Sequence, residues 1–402
     1  MTRLISFFLK LFLIQIFVYS FLSEWILSYI DNTRVNFLQE FEIFAFFFSP
    51  LLFAYFYFNS KSFKWDYKIQ VNNPFAISVV FLILPIIYLF ILNKYDIVSR
   101  RIGTENIALL YADMNSLDKL LMKIYDQSQY IYLILCFYTL RQNRAFKFRK
   151  FFKFVFSINI VFLGVLSVFN SRTAVLFFVL LVFLFDALFD CIKSNIKFRF
   201  LMIATFFFIL VSLVRYAPLF FLDDNSAVQN VAKSEILNRV NCTLLFKEVV
   251  DATNYKGFLY GKTMSNPFLS LFAVLGDESS KEKIRIAETG SKQYILSNYL
   301  QKDNKDDCSC MVVDSYANWG IFGILFSAML IVMWAFVIYY LGTCDVISSW
   351  RFSLIIIVIM SMFFYESDGL SLMFNFIKYL PGALLIAILK PVYIKRSFID
   401  GQ

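Results

Sequence analysis

Two sets of side chains carry the chemistry open to this chain. Arg172, Arg215, Arg239, Lys262 and Arg285 are cations, and Glu248, Asp314, Glu366 and Asp368 are carboxylates. A guanidinium presents a rigid fork of donors that grips two phosphate oxygens at once. A carboxylate beside a hydroxyl takes its proton as the oxygen attacks. Together they fit a transfer reaction in which cations stabilise a departing phosphate while a carboxylate activates the acceptor. The residues do not choose one of the four carboxylates as the base. Other chemistries drop out. His is 0, which removes imidazole as base, proton shuttle or metal ligand. There is no glycine-rich phosphate loop, dinucleotide fingerprint or Ser–His–Asp set, so ATP-driven and redox work are disfavoured. No metal site and no cofactor is expected.

The elements that must position these residues follow from composition. The chain has 402 residues, 59% hydrophobic and 17% charged, with 52 Phe. Ordinary soluble domains are about 45–50% apolar and about 25% charged, so a water-soluble enzyme is excluded. A membrane-spanning helix needs about 20 mostly apolar residues. Ten stretches qualify: Leu4–Leu22, Phe41–Phe58, Phe75–Leu92, Leu120–Leu140, Phe154–Phe169, Ala174–Leu188, Phe200–Val214, Tyr316–Leu341, Phe352–Tyr365 and Leu370–Leu389. The expected fold is all-α and polytopic. Residues 1–214 hold seven spans, 215–315 form one large loop with amphipathic helices, and 316–402 hold three spans and a short tail. The first stretch lacks a small-residue cleavage site and reads as a retained span, not a signal peptide.

Lys and Arg set the orientation. Lys61, Lys64 and Lys68 lie in loop 59–74. Arg141, Arg144, Lys147, Arg149, Lys150 and Lys153 lie in loop 141–153. Lys193, Lys197 and Arg199 lie in loop 189–199, and Lys390, Lys395 and Arg396 in the tail. With ten spans all four segments share one side, the cytoplasmic one, together with both termini. The net charge of +9 is mostly this bias. It implies contact with membrane lipid headgroups and no nucleic acid.

The same count places every candidate on the outer side. Arg172 sits in the tight turn Asn170–Thr173, which needs no arginine for its shape. Arg215 marks the end of the seventh span. Arg239, Glu248, Lys262 and Arg285 lie in the loop, Asp314 just before the eighth span, and Glu366 and Asp368 between the last two. Within the loop, Val228–Asp251 has the spacing of an amphipathic surface helix. Tyr255–Leu275 reads as a re-entrant or surface-dipping piece and Asp277–Ala287 as a charged stretch. A second helix is expected to run to Leu300, followed by a polar turn at Asp303–Asp307. Cys242 can pair with Cys308 or Cys310. Ionisable residues at span depth are expensive. Lys123 with Asp126, Asp186 and Asp190 with Lys193, and Lys378 with Glu366 are the expected pairings. An outer face of cations and carboxylates over a helical bundle suits a lipid-linked phosphate substrate. Glycosyl transfer from a polyprenyl pyrophosphate sugar is one such reaction.

Three short segments give a family resemblance: Asn170-Ser-Arg172-Thr173, Gly257-Phe-Leu-Tyr-Gly261-Lys-Thr263 after Arg239, and Asp314-Ser-Tyr316-Ala-Asn318-Trp-Gly320-Ile-Phe-Gly323. With the topology, they resemble the bacterial oligosaccharide repeat unit polymerases of the O-antigen (Wzy) type. The departure is Gly276-Asp-Glu-Ser-Ser-Lys281-Glu-Lys283-Ile-Arg285, where many members carry a proline–arginine element. The resemblance implies a GT-C-like fold in the bacterial inner membrane with a periplasmic loop. It implies a metal-independent glycosyltransferase of surface-polysaccharide (lipopolysaccharide) biosynthesis. Undecaprenyl-pyrophosphate-linked units, donor and acceptor, would be joined and undecaprenyl pyrophosphate released. A flippase and a chain-length regulator would be partners. Arg172, Arg215 and Arg239 would contact pyrophosphate or glycan. Tyr316, Asn318, Gly320 and Gly323 would shape the cleft wall and helix packing.

Other classes compete. The O-antigen ligases share the large loop but use a histidine there, and this chain has none. A flippase or other transporter is expected to show two similar halves with breaks at matching positions. Pro50, Pro85 and Pro381 are not symmetrically placed.

Overall fold

Each of the ten apolar stretches is helical in the computed structural model, apart from parts of the ninth and tenth that lie outside the described residues. Those described are 1–22, 38–61, 65–97, 114–169, 174–220, 242–265, 294–301, 310–362 and 372–398, and 83% of them are helical. Helix α1 is Thr2–Ile16, continued by a π-helical turn Phe17–Leu22. Then come α2 (Leu38–Ser60), α3 (Pro74–Lys94), α4 (Ser116–Gln142), α5 (Arg149–Phe169), α6 (Ala174–Phe189) and α7 (Ser194–Phe220). The large loop contributes α8 (Cys242–Lys256), and α9 (Met311–Gly342), α10 (Ser349–Met362) and α11 (Leu372–Leu389) complete the bundle. Polar residues start the helices where backbone donors need partners. Asn73 caps α3 through Ala76 N at 3.3 Å, with Pro74 at the first helical position. Asn115 caps α4 through Asp118 N at 2.7 Å.

Among the described residues, α3 and α9 are long and apolar enough to cross a membrane, and Phe44–Ser60, Ala174–Phe189, Ser349–Met362 and Tyr379–Leu389 are shorter apolar helices. The other helices carry charged turns, such as Arg149-Lys150 and Lys153 in α5. Helix α1 packs on α2 and α6, α4 on α3, α5 and α11, and α9 on α2, α8 and α10. Asn159 joins three of them: it accepts from Tyr125 Oη at 3.0 Å and donates to the Phe81 carbonyl at 2.8 Å. Large apolar side chains point outward from α3 (Ile83, Ile86, Phe90), α7 (Met202, Ile203, Phe206) and α9 (Phe322, Phe326, Met329).

The expectation of an all-α chain is corrected by a small sheet. Strands β1 (Trp65–Val71), β2 (Val346–Ser348) and β3 (Val392–Phe398) form an antiparallel sheet in the order β1-β3-β2. Tyr67 faces Arg396, Ile69 faces Ile394, and Val346 faces Lys395 across the ladders. The signal was a period of two, with Trp65, Tyr67, Ile69 and Val71 alternating with Asp66, Lys68 and Gln70. The outer edge of β1 is closed by side chains. Gln142 Oε1 accepts from Ile69 N at 2.8 Å, its Nε2 donates to Tyr67 O at 3.0 Å, and Asn143 Nδ2 donates to Ile69 O at 3.0 Å. Tyr67 Oη also accepts from the Met1 amino group at 3.1 Å. Segments 59–74, 141–153 and the tail, which the span count puts on one side, therefore meet at one end of the bundle. We call this the sheet end, and the opposite one the loop end.

The expected surface helix Val228–Asp251 overlaps α8, which runs on to Lys256; residues 228–241 lie outside the described ones. Leu245, Phe246 and Val249 are its buried face. The helix expected to reach Leu300 is seen as a π-helical turn, Tyr294–Tyr299. Residues 266–275, Asp277–Ala287 and Asp303–Asp307 lie outside the described residues.

Candidate active site

At the loop end α9 is broken. Trp319 (φ −144°, ψ 22°) and Gly320 (φ 60°, ψ −141°) are non-helical and divide it into two halves. Ser315 and Ser327 would stand about 18 Å apart on a straight helix. Their hydroxyl oxygens lie 2.5 Å apart, so the first half folds back along the second. Gly323 permits this, because a Cβ there would sit 2.1 Å from the Ser315 carbonyl oxygen. Gly320 lies in the left-handed region, and its α-carbon is covered by the Phe258 ring, 3.0 Å from where a Cβ would stand.

The loop after α8 docks into this break. Gly257, Tyr260 and Gly261 all have positive φ, at 73°, 49° and 83°. Leu259 N donates to the Ala317 carbonyl at 2.8 Å, and Tyr260 N to the Asn318 carbonyl at 3.1 Å. Gly261 N donates to Asn318 Oδ1 at 2.8 Å, which fixes the orientation of that amide. Asn318 Nδ2 then donates to Thr263 Oγ1 at 2.7 Å and to the Asp314 carbonyl at 2.8 Å. The Thr263 hydroxyl donates to Asp314 Oδ1 at 2.8 Å. Asp314, Ser315, Asn318 and Thr263 are all buried. A buried carboxylate is costly unless hydrogen bonded, and the threonine and asparagine supply those bonds. The loop's backbone donors from 259 to 262 are all spent, the last in a bond from Lys262 N to the Leu259 carbonyl at 3.2 Å. This turn therefore offers no backbone nest for an anion; any anion must be held by side chains.

Neighbouring contacts fix the clasp to its surroundings. The Phe246 ring of α8 meets Tyr316 at 5.3 Å and Phe44 of α2 at 5.5 Å. Tyr299 Oη donates to the Gly257 carbonyl at 2.6 Å, and Lys256 Nζ donates to the Tyr299 carbonyl at 2.7 Å. Burial raises the Tyr299 phenol above its ordinary range. Cys242 is disulfide-bonded. Cys310 keeps its thiol, which leaves out a Cys242–Cys310 bridge; Cys308 lies outside the described residues. Also at this end, Lys94 Nζ meets Asp118 Oδ2 at 2.7 Å. The Lys94 ammonium, with help from the Tyr95 hydroxyl, holds the Asp118 carboxyl below its ordinary range, and Asp118 raises Lys94 in return.

Of the candidate residues, Asp314 stands inside the clasp and Lys262 is exposed on the docked turn next to Thr263. Glu248 is half-buried on α8, which packs against α9. Arg215 lies within α7. Its side chain, together with Arg172, Arg239, Arg285, Glu366 and Asp368, lies outside the described residues. Thr263 lay inside a quoted motif but was given no role, and Ser327 was not singled out, although a polar residue in an apolar run was the available signal. Of the charges that the sequence puts in or beside apolar runs, Asp186 is buried and pairs with Lys197 Nζ at 2.5 Å rather than Lys193; its Oδ1 accepts from Cys191 N and Ile192 N, both at 3.0 Å. Asp126 is beside the Tyr88 hydroxyl. The Lys378 side chain and Glu366 lie outside the described residues. Among the described residues, no group of three His, Cys, Asp or Glu is placed to hold a metal ion.

No family model, no curated protein and no solved structure matches the chain.

Proposed function

We propose that the chain is a membrane glycosyltransferase that polymerises lipid-linked oligosaccharide repeat units. The observation that carries this reading is the docking of segment 257–263 onto segment 314–323. Two of the three sequence elements behind the family resemblance, about 50 residues apart, meet in one buried network through Asn318, Thr263 and Asp314. Outward apolar faces on α3, α7 and α9 support a lipid setting. In this reading the ten stretches all span, the sheet end is cytoplasmic and the loop end periplasmic.

The acceptor hydroxyl oxygen attacks the anomeric carbon of the donor chain. The bond from that carbon to the pyrophosphate oxygen breaks, and polyprenyl pyrophosphate leaves. Arg172, Arg215, Arg239, Lys262 and Arg285 supply positive charge for the leaving group. The acceptor proton goes to a carboxylate, for which Glu248, Glu366 and Asp368 remain the candidates. Asp314 is a positioning residue, since its Oδ1 is engaged in holding the turn that carries Lys262. The metal-free charge set requires no cofactor.

A second reading, a flippase, is favoured by one observation, the break in α9, since broken helices line transporter sites. Pro50, Pro85 and Pro381 all lie inside helices that continue through them, so no matching break stands among the described residues.

Deleting the gene in its host and running the surface polysaccharide on a gel separates the two. Collapse of the ladder to one repeat unit is the polymerase result. Loss of even that unit, with lipid-linked units accumulating inside, is the flippase result and overturns the proposal.

A further inference from the structure

We propose that Tyr260 is a stacking platform for a saccharide ring of the glycan substrate. The inference rests on the polymerase reading and names a contact that reading does not supply. Tyr260 is 73% exposed, so packing does not explain its presence. Its backbone lies at φ 49°, in the left-handed region where a bulky side chain is strained and glycine is free. The chain uses glycine at two other positive-φ positions of the same turn, Gly257 and Gly261. At 260 it keeps a tyrosine and accepts the strain. Strain of this kind gathers at sites where a side chain must be held in one place.

The holding is visible. Tyr260 N is bonded to the Asn318 carbonyl, and the next residue's N–H to the Asn318 side chain. The Tyr260 ring meets Phe258 edge-on, at 6.2 Å and 85°, and Phe258 is seated on Gly320. Phe258 thus borders the Tyr260 ring on one side and leaves the rest of it open. An exposed phenol ring on an anchored backbone offers an apolar face to the C–H side of a sugar and a hydroxyl for its rim. Lys262, exposed two residues on, adds a cation for acidic groups of the glycan or its carrier. A tyrosine serving only as an anchor at the membrane–water interface needs no left-handed backbone, because headgroups are fluid.

The test uses the full chain in nanodiscs and, as probe, repeat-unit oligosaccharide released by mild acid from the host's own lipid-linked repeat units. Binding is read by saturation-transfer NMR, and ladders are read in the deletion host carrying each variant. Tyr260→Ala is expected to bind about tenfold more weakly, the size of one lost aromatic contact, and to give shortened ladders. Tyr260→Phe keeps the ring face and is expected to stay within about threefold of wild type. Tyr260→Gly is the deciding variant: it relieves the strain, so its Tm rises while glycan binding falls. A Tyr260→Gly protein with lowered Tm makes the ring a structural prop and overturns the platform. Wild-type binding and ladders in Tyr260→Ala overturn it too, and with headgroup-quencher sensitivity at position 260 in Tyr260→Trp they assign the ring to the membrane surface. If the deletion itself leaves the ladder intact, the polymerase reading fails instead, whatever Tyr260 does.

Discussion

The two ends of the bundle are tied by different means. At the sheet end, segments more than 300 residues apart in sequence are joined by backbone ladders, with β1 paired to β3 over seven positions. Side chains only finish the edge, as Gln142 and Asn143 do. At the loop end two main-chain bonds, from Leu259 N and Tyr260 N, are joined by one asparagine, one threonine and one aspartate in connecting a broken helix to a turn. A ladder tolerates most side chains, because its bonds are main chain. A clasp of three buried functional groups tolerates almost none, because each removal strands a partner. The difference makes the loop end the more sensitive of the two to single side-chain changes.

The sharpest way to break this contrast is Asn318→Asp. The Gly261 N–H keeps its acceptor, but a second carboxylate replaces the donor to Thr263 and faces Asp314. A stranded buried charge costs about 3–5 kcal/mol, so polymer is expected to vanish and the Tm of detergent-solubilised protein to fall; Asn318→Ala should fall less. Cys242→Ser comes next, because losing a disulfide costs about 2–4 kcal/mol. Limited proteolysis should then cut the 215–315 region first and spare the sheet end. Gly323→Ala forces a Cβ against the Ser315 carbonyl, an overpacking cost of about 1–3 kcal/mol. Ladder length and Tm should drop together.

At the sheet end stability and product should part. Gln142→Ala removes two bonds to an otherwise intact sheet, about 1 kcal/mol each, so Tm should dip while polymer length stays unchanged. Polymer loss in Gln142→Ala with normal expression would erase the contrast. The smallest effect is the Lys94–Asp118 pair. Asp118 is depressed in the folded state, so its contribution is present above the unfolded carboxyl value of about 3.9 and is lost as pH falls through the lower folded value. Lys94 is raised, so its share is present below about 10.4 and is lost as pH rises through the higher folded value. Melting of Asp118→Asn should approach that of wild type only as pH falls below the depressed folded Asp118 value, and diverge slightly between these limits.

Much of this was legible in the residues. Long apolar runs such as 75–92 have no other outlet than a helix, and the helix found there, Pro74–Lys94, passes the run by only one or two residues at each end. The sheet was missed because Lys68 and Lys395 were taken as topology markers, while the alternation of Trp65, Tyr67, Ile69 and Val71 went unused. The clasp was half legible. Asp314 stood among the candidates, and Asn318 and Thr263 lay inside the quoted motifs. Their meeting depends on the turn at Trp319–Gly320, a backbone geometry that a twofold Gly pattern permits but does not dictate. Asp186 was read with Lys193, its neighbour in sequence. It is bound to Lys197, because α7 begins by running back past the end of α6.

The most direct test of the central claim is reconstitution. Purified protein in proteoliposomes is supplied with lipid-linked repeat units, and products are read by mass spectrometry. The account predicts glycans lengthened by whole units, one polyprenyl pyrophosphate released per bond, and neither product from Asn318→Asp protein. Units moved across the bilayer with no lengthening, or lengthening that survives in Asn318→Asp, would contradict it.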